Sequence, residues 1–295
     1  MKQPVFTGAA AAIVTPMHPD FSVNFAALDR LLDELIQGGI DAVVPCGTTG
    51  ESSTLTEEEY AQVIAFVVQK VNHRVPVIAG AGSNNTAHAV TRSQLAAHLG
   101  ADALLHVTPY YNKASQEGLV AHFTAVADAT PLPVILYAVP SRTGVTVRPE
   151  TCLRLASHPK IAGIKEASGD LSAIARIRAL CGEELPVYSG NDDQIVPIMS
   201  LGGLGVISVA ANLLPEQIHR LCQLCLESDY PQASQLQLEL LGLCGALFAD
   251  VNPIPVKAAL NLLGKEAGPC RLPLSPPGPA VRERLAQELR SLDLL

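Results

Sequence analysis

Short apolar segments alternate along the whole chain with longer segments whose apolar residues recur every three or four positions. The short segments are apolar at nearly every position, which predicts parallel strands covered on both faces. The longer segments, such as FAALDRLLDELIQGG and TEEEYAQVIAFVVQKV, predict amphipathic helices. The pattern predicts eight strands, at residues 6–14, 42–45, 75–79, 103–107, 133–137, 161–164, 186–188 and 205–209.

Eight strand–helix units in succession predict an α/β fold of one kind, a closed (β/α)8 TIM barrel whose helices are the crossovers that parallel strands require. A doubly wound sheet is the alternative, but its first strand is usually followed by a glycine fingerprint. Here VTPMHPD follows the first strand, and GAGSNN at 80–85 lacks the third glycine. We predict a barrel core over 1–212, then the final barrel helix and a C-terminal helical appendage over 213–295, in a single structural unit.

The first apolar segment also imitates a short signal peptide, because Lys2 precedes the small and apolar run VFTGAAAAIV. The barrel needs this segment as its first strand, so we favour the strand. The sequence has no run of the roughly 18 apolar residues that a membrane span needs. We expect a cytoplasmic protein with no membrane partner.

Composition narrows the classes of function. The 295 residues carry a net charge of −8, and an acidic surface repels phosphate, which argues against nucleic-acid binding. Seven dispersed cysteines do not resemble a disulfide scaffold, and the C-x-x-C of Cys222 and Cys225 has no second pair, so we interpret it as helix packing. The eight histidines form no metal-binding motif, and we predict no metal site.

Lysine placement indicates the reaction class, since a barrel of this kind carries its chemistry where strands end. Of the seven lysines, Lys165 alone ends a predicted buried strand, IAGIK. Partial desolvation disfavours its ammonium form and provides a neutral amine, which forms an imine with a keto group. The alternative is that Lys165 forms an ion pair with a nearby carboxylate such as Glu51 or Glu166.

The segment GTTGE at 47–51 suits a small carboxylate, because two glycines permit tight turns with free N–H groups and Thr48 and Thr49 add hydroxyl donors. A helix N-cap is the alternative, since a capping box begins at Thr56. The cap explains Thr56 but not the doubled threonine upstream.

Two further side chains are expected near Lys165. Tyr137 ends the preceding strand, and its phenol suits proton transfer beside an imine-forming lysine; a buried tyrosine with a satisfied hydroxyl is the alternative. Arg142, in the following loop, suits a second carboxylate, and a surface ion pair is its alternative.

Seven ordered motifs, GTTGE, TPYYN, YxVPSRTG, GIKEASG, SGND, GVISV and NPIPVK, resemble the dihydrodipicolinate synthase branch of the pyruvate-dependent class I aldolases, across essentially the whole chain. The resemblance implies condensation of the substrates pyruvate and aspartate semialdehyde in a homotetramer built from two dimers, with no cofactor beyond a covalent imine on Lys165. It implies a proton relay of Thr48, Tyr137 and Tyr111, the last reaching into a neighbouring subunit. It assigns substrate binding to Thr49, Arg142, Gly190 and Ile207.

Some positions depart from the family pattern. Ala138 and Asn191 replace residues that are usually Asn and Asp. At the feedback site for lysine, Ser52, Asn84 and Tyr110 match, whereas His88 stands where inhibited relatives have a glutamate that holds the ligand's amine, and the positions of Glu57 and Tyr60 are often histidines. Imidazole is a poor partner for an ammonium group, so we predict weak or absent inhibition by lysine.

Two alternative functions stay open from the sequence. One is a sister pyruvate-dependent lyase that acts on a sialic acid or another keto-sugar acid. Arg142 in PSRTG, and Thr rather than Ser at position 48, favour the synthase branch over that lyase. The other is a barrel that binds a keto acid without turning it over, because barrel architecture does not by itself fix function.

Overall fold

The computed structural model describes residues 2–295, and their strands form one ring of parallel strands surrounded by helices. The ring runs in the order β2-β1-β8-β7-β6-β5-β4-β3 and closes between β2 and β3 through a bridge from Val43 to Val77. The predicted barrel is therefore confirmed. The strands are β1 (Gly8–Ala12), β2 (Ala42–Val44), β3 (Ile78–Gly80), β4 (Ala103–Val107), β5 (Val134–Ala138), β6 (Ile161–Glu166), β7 (Val187–Ser189) and β8 (Gly205–Ser208).

Helices follow the strands and continue beyond the last one. They begin where the sequence supplies caps: Asn24 accepts from the backbone N–H of Ala27, and Thr56 and Glu59 form the predicted capping box. The α-helices are α1 (Phe25–Gln37), α2 (Glu57–Val71), α3 (Thr86–His98), α4 (Gln116–Asp128), α5 (Pro140–Thr143), α6 (Pro149–Ala156), α7 (Leu171–Cys181), α8 (Ile195–Ser200), α9 (Pro215–Leu226), α10 (Tyr230–Leu247), α11 (Ile254–Leu262) and α12 (Pro279–Ser291).

The first strand is shorter than predicted, and the residues at its amino end show why. Phe6 lies before β1, where its ring stacks on Tyr188 at 4.4 Å between centroids, and the Tyr188 hydroxyl donates to the Phe6 carbonyl at 2.8 Å. These two rings fill the amino end of the barrel. At the start of β1, Gly8 has φ +101, and the Asp41 carboxylate occupies the space that a Cβ would need. The strand therefore begins at Gly8, where the backbone conformation and the close carboxylate both favour glycine.

The barrel has two apolar layers. Residues such as Ala10, Val44 and Ile207 fill the ring itself, and a larger layer lies between the strands and the surrounding helices. Because both faces of each strand are covered, the strands are apolar at nearly every position, as the sequence pattern indicated. The carboxyl ends of the strands are left as the polar end of the ring.

The C-terminal helices pack on the barrel and on one another. Helix α9 contacts β1 and β8, and α10 packs against α9 and α12. The segment from 248 to 253, between α10 and α11, returns to the carboxyl ends of the strands. The predicted appendage therefore reaches the polar end of the barrel.

The buried side chain of His106 makes the stability of the fold depend on pH. Its ring is fully buried on β4, where Nε2 lies 3.0 Å from Ser93 Oγ, and that hydroxyl donates to the Ala89 carbonyl at 2.6 Å. Ser93 therefore accepts from a neutral imidazole. Burial lowers the pKa of His106 from 6.5 to about 3. The unfolded chain binds more protons below pH 6.5, so stability present above 6.5 is lost as the pH falls toward 3.

We expect His106 to remove about 2 kcal/mol of stability between pH 7 and pH 5. Urea unfolding of wild type and His106→Leu at both pH values measures this contribution as the difference in pH dependence. His122, whose pKa burial also lowers, is present in both proteins and cancels. Equal pH dependence in the two proteins would contradict the prediction.

Candidate active site

A cavity of about 490 Å³ lies at the carboxyl ends of the strands. The chain reaches it from several strand ends and from the segment before α11. The predicted residues that line it are Thr48, Thr49, Tyr137, Arg142, Lys165 and Gly190. Residues distant in sequence therefore converge on one polar space inside an apolar ring.

Lys165 lies in β6 directly beside Tyr137 of β5 in the strand register. Its side chain is 5% exposed, and its Nζ lies 4.4 Å from the centroid of the Tyr137 ring. The alternative ion pair is wrong. Glu51 instead binds Lys257, with 2.8 Å between Oε1 and Nζ, and the Glu166 carboxylate accepts from Ser168, so among residues 2–295 no carboxylate forms an ion pair with Lys165.

The environment of Lys165 favours the neutral amine. Burial lowers the pKa of its ammonium group from 10.5 to about 8. The Asp192 carboxylate opposes this lowering of the pKa, and the positive charge of Arg142 adds to it. About one amine in ten is then neutral at pH 7, compared with well under one in a thousand for an exposed lysine. A buried lysine of this kind is suited to nucleophilic attack.

Tyr137 is held as a neutral phenol beside that amine. Burial raises its pKa to about 12, and both the charge of Arg142 and a hydrogen bond with Thr48 act in the opposite direction. The phenol therefore stays protonated at neutral pH and has Thr48 as a hydroxyl neighbour. A group that can both donate and accept a proton stands next to the nucleophile.

The loop that contains Thr48 and Thr49 is held from the far end of the chain. Thr49 is 3% exposed, and its Oγ1 accepts from Asn252 Nδ2 at 2.9 Å. A Cβ on Gly50 would lie 3.0 Å from the Cys46 backbone nitrogen, which is tighter than ordinary contact, so glycine lets the loop pack closely on Cys46. The helix cap begins later, at Thr56, so the threonine pair belongs to the cavity and not to the cap.

Arg142 also belongs to the cavity. It lies in α5, and its Nη2 donates to the Asn252 carbonyl at 3.2 Å. Within residues 2–295 it forms no ion pair, so the alternative surface ion pair is wrong. A guanidinium that keeps free N–H groups at a cavity is suited to a carboxylate.

The remaining predicted residues have different places. A Cβ on Gly190 would lie 2.6 Å from the Ala167 side chain and 3.1 Å from Lys165 Cε, so glycine lets the chain pass close to the lysine. Ile207 is buried inside the ring on β8. Tyr111 is 89% exposed with φ +73, and it is absent from the cavity lining. Within a single subunit, the structure thus brings Gly190 to the lysine and leaves Tyr111 facing outward.

The proposed feedback residues lie outside the cavity. His88 Nε2 lies 3.1 Å from Glu57 Oε1, and the same carboxylate accepts from Arg92 at 2.7 Å. The hydrogen bond from Arg92 lowers the pKa of Glu57. Ser52 is half-buried and Tyr110 is 38% exposed, while the Asn84 carbonyl accepts from the Asn112 side chain.

The model of the dihydrodipicolinate synthetase family matches residues 5–292. This chain belongs to that family. It is 55% identical over 272 residues to the 4-hydroxy-tetrahydrodipicolinate synthase of Thermoanaerobacter sp. (strain X514), covering 92% of this chain and 91% of the relative.

Two solved structures of the dihydrodipicolinate synthetase family are similar along almost the whole chain. One is the chloride-inhibited dihydrodipicolinate synthase from Acinetobacter baumannii complexed with pyruvate, with TM-score 0.96 and 42% identity over 98% of this chain and 99% of that one. The other is the enzyme from Cyanidioschyzon merolae with lysine bound, with TM-score 0.96 and 40% identity over 99% of this chain and 100% of that one.

Two residues of this dihydrodipicolinate synthetase family member were not singled out from the sequence. Asn252 joins Thr49 to Arg142, and its own Oδ1 is buried without a hydrogen-bond partner within residues 2–295. Asp192 is a buried carboxylate that acts on Lys165. Both stand in quoted motifs, NPIPVK and SGND, but their type and position alone do not reveal what they contact.

The part of the chain described by the structure contains no cluster of three or more metal-ligating side chains. Nor does any helix within residues 2–295 have the length and apolar character to cross a membrane.

Proposed function

We propose that this chain condenses pyruvate with aspartate semialdehyde through a Schiff base and releases 4-hydroxy-tetrahydrodipicolinate, the lyase reaction of lysine and diaminopimelate biosynthesis. The observation that carries the proposal is the buried amine of Lys165, which lies 4.4 Å from the Tyr137 ring in a cavity lined by hydroxyl, amide and guanidinium groups. The names of the similar proteins support the same reaction.

The reaction begins when the neutral Lys165 amine attacks the keto carbon of pyruvate. Loss of water leaves an imine that withdraws electrons, so a methyl proton of pyruvate departs and an enamine forms. The enamine carbon attacks the aldehyde, which forms the new carbon–carbon bond. The amine of the second substrate then attacks the imine carbon, and the bond to Lys165 breaks. The imine supplies the electron sink, so the proposed sequence uses neither a metal nor an organic cofactor.

The carboxylates of the two substrates have separate partners in the proposal. The Thr48–Thr49 loop binds the carboxylate of pyruvate, because both threonines line the same cavity as Lys165 and such a loop offers hydroxyl and backbone N–H donors. Arg142 binds the carboxylate of aspartate semialdehyde. Gly190 and Ile207 shape the backbone around the lysine.

Protons travel through Thr48 and Tyr137, which share a hydrogen bond beside the reacting amine. Tyr111 completes this relay in the neighbouring subunit, which accords with its 89% exposure. The active unit is then a dimer, and two dimers form a homotetramer.

Borohydride reduction in the presence of pyruvate tests the proposal. We expect a covalent adduct on the peptide that contains Lys165, followed by turnover when aspartate semialdehyde is added to pyruvate. An adduct without turnover of aspartate semialdehyde, but with cleavage of a sialic acid or another keto-sugar acid, would assign the chain to a sister lyase. Absence of any adduct would favour a barrel that only binds keto acids.

Lysine is expected to inhibit this protein weakly or not at all. The carboxylate that contacts His88, that of Glu57, is already paired with Arg92 and His88, so it is not free to hold an ammonium ligand. Initial rates measured against lysine concentration check this expectation. His88→Glu is expected to increase the sensitivity to lysine. Near-complete inhibition of the wild type by sub-millimolar lysine would contradict the expectation of weak inhibition.

A further inference from the structure

The side chain of Asn252 lies in the wall of the cavity and contacts the Thr48–Thr49 loop. Asn252 is 6% exposed and Thr49 is 3% exposed, and both line the cavity. Asn252 Nδ2 lies 2.9 Å from Thr49 Oγ1. Because an amide nitrogen donates and does not accept, the threonine oxygen is the acceptor in this hydrogen bond. The hydroxyl proton of Thr49 is therefore not used in the contact with Asn252.

The Thr48–Thr49 loop keeps several donors that have no protein acceptor. Within residues 2–295, the Thr49 hydroxyl donates to no acceptor, and neither do the backbone N–H groups of Thr48 and Thr49. A buried donor such as the Thr49 hydroxyl ordinarily has an acceptor. A small carboxylate in the cavity would accept these hydrogen bonds, and its charge would strengthen them.

Two contacts hold the segment 252–257 against this loop. One is the hydrogen bond from Asn252 to Thr49, and the other joins Lys257 Nζ to Glu51 Oε1 at 2.8 Å. Lys257 lies in the first turn of α11, and Glu51 lies two positions after Thr49. Because the segment is held at both ends, the Asn252 amide stays within hydrogen-bond distance of the Thr49 hydroxyl.

The oxygen end of the Asn252 amide has no partner. Oδ1 is buried without a hydrogen-bond donor within residues 2–295. If the amide turned over, Oδ1 would accept the Thr49 proton, and a ligand carboxylate would lose that donor. An anion bound in the cavity therefore favours the observed orientation, in which Nδ2 faces Thr49.

The main chain of Asn252 makes a separate contact. Its carbonyl accepts from Arg142 Nη2 at 3.2 Å. Replacing the side chain of Asn252 leaves this carbonyl in the chain, so we expect the contact with Arg142 to persist. The side chain and the main chain of Asn252 thus contact different cavity residues, and their effects can be measured separately.

Building on the proposed function, we propose that Asn252 is a positioning residue that acts through Thr49: its amide donates to the Thr49 oxygen and so reserves the hydroxyl proton for the carboxylate of pyruvate. Accepting one hydrogen bond also makes the hydroxyl a better donor, because hydrogen bonds in a chain polarise one another. Asn252 needs no contact with pyruvate for this effect.

The pyruvate concentration that gives half-maximal borohydride trapping, measured without the second substrate, tests the contact with Thr49. Asn252→Ala removes the donor, and we expect this concentration to rise roughly 10-fold. Asn252→Asp keeps the shape of the side chain but provides an acceptor that captures the Thr49 proton, so we expect a larger rise. Thr49→Val removes the hydroxyl and should have at least the effect of Asn252→Ala.

The Thr49→Val background separates the action through Thr49 from other effects. In that background, we expect Asn252→Ala to change the half-maximal concentration by no more than about 2-fold, because the hydroxyl that it positions is already absent. Asn252→Asp in the same background measures the repulsion between its charge and pyruvate. In Asn252→Ala alone, KM for aspartate semialdehyde should change by less than about 2-fold, since Arg142 keeps its carbonyl partner.

Asn261→Ala is the matched control. Asn261 donates to the Gly268 carbonyl at 3.0 Å and accepts from the Gly268 N–H at 2.9 Å, and it does not line the cavity. The same substitution thus removes an amide that holds a neighbouring part of the chain. We expect the trapping by pyruvate to be that of the wild type.

Trapping by the wild type that is unchanged in Asn252→Ala and Asn252→Asp would overturn this inference and leave the proposed function intact. An effect of Asn252→Ala that persists in full in the Thr49→Val background would also overturn it, because the amide would then not act through Thr49. So would equal increases in KM for both substrates, since the segment 248–253 would then have moved as a whole. A wild type that forms no adduct with pyruvate would refute the proposed function and this inference together.

Discussion

Replacing Lys165 by methionine is expected to abolish adduct formation with pyruvate and to lower kcat by at least about 10³-fold. Methionine has a similar length and no amine, so it fills the space against the Tyr137 ring without providing a nucleophile. Loss of the lysine removes a positive charge that favours the buried Asp192 carboxylate, but it breaks no ion pair, since Lys165 forms none within residues 2–295. We therefore expect the variant to fold, and mass spectrometry after borohydride treatment measures the missing adduct.

Lys160→Met is the matched control, because Lys160 lies just before the same strand and its Nζ donates to the Thr130 carbonyl outside the cavity. This variant is expected to form the pyruvate adduct at the wild-type rate. An adduct that persists in Lys165→Met on another lysine would contradict the assignment of the nucleophile. A folded Lys165→Met protein with undiminished turnover would contradict the Schiff-base mechanism itself.

The sequence predicted the barrel and Lys165 for one physical reason. Strands covered on both faces are apolar at nearly every position. A charged residue at the end of such a strand is therefore either buried among apolar side chains or part of a functional site. IAGIK was the one run that ended in lysine. The strand register then places Tyr137 beside Lys165, as adjacency of the two strand ends had indicated. These features depend on neighbours in the chain or in the sheet.

The sequence could not reveal contacts between residues far apart in the chain. Lys257 stands in the helical pattern IPVKAALNL, where a lysine is ordinarily exposed, yet it is 1% exposed and binds Glu51, 206 residues away. Asn252 likewise donates a hydrogen bond to Thr49, which lies 203 residues away in the sequence. Such pairs depend on how α11 and the segment before it return to the cavity, which no local pattern encodes.

Lys257→Met is expected to lower the free energy of unfolding by about 3–5 kcal/mol. Lys257 Nζ donates to Glu51 Oε1 at 2.8 Å, to the Thr15 carbonyl at 3.1 Å and to the Pro269 carbonyl at 2.6 Å. Without it, the hydrogen bond that remains to the buried Glu51 carboxylate within residues 2–295 is from the backbone N–H of Arg271 at 2.8 Å. Urea unfolding of the two proteins measures the loss.

Two further variants identify the cause of that loss. The double variant Glu51→Gln/Lys257→Met no longer has the unpaired buried charge, and its glutamine oxygen still accepts from the Arg271 N–H. We therefore expect it to regain about half of the free energy of unfolding that Lys257→Met loses. Lys265→Met breaks a pair with Glu34 that is largely exposed, and it should cost no more than about 1 kcal/mol. Because Glu51 lies two residues after Thr49, we also expect Lys257→Met to raise KM for pyruvate. A double variant less stable than Lys257→Met would show that lost packing, and not the unpaired carboxylate, destabilises the protein.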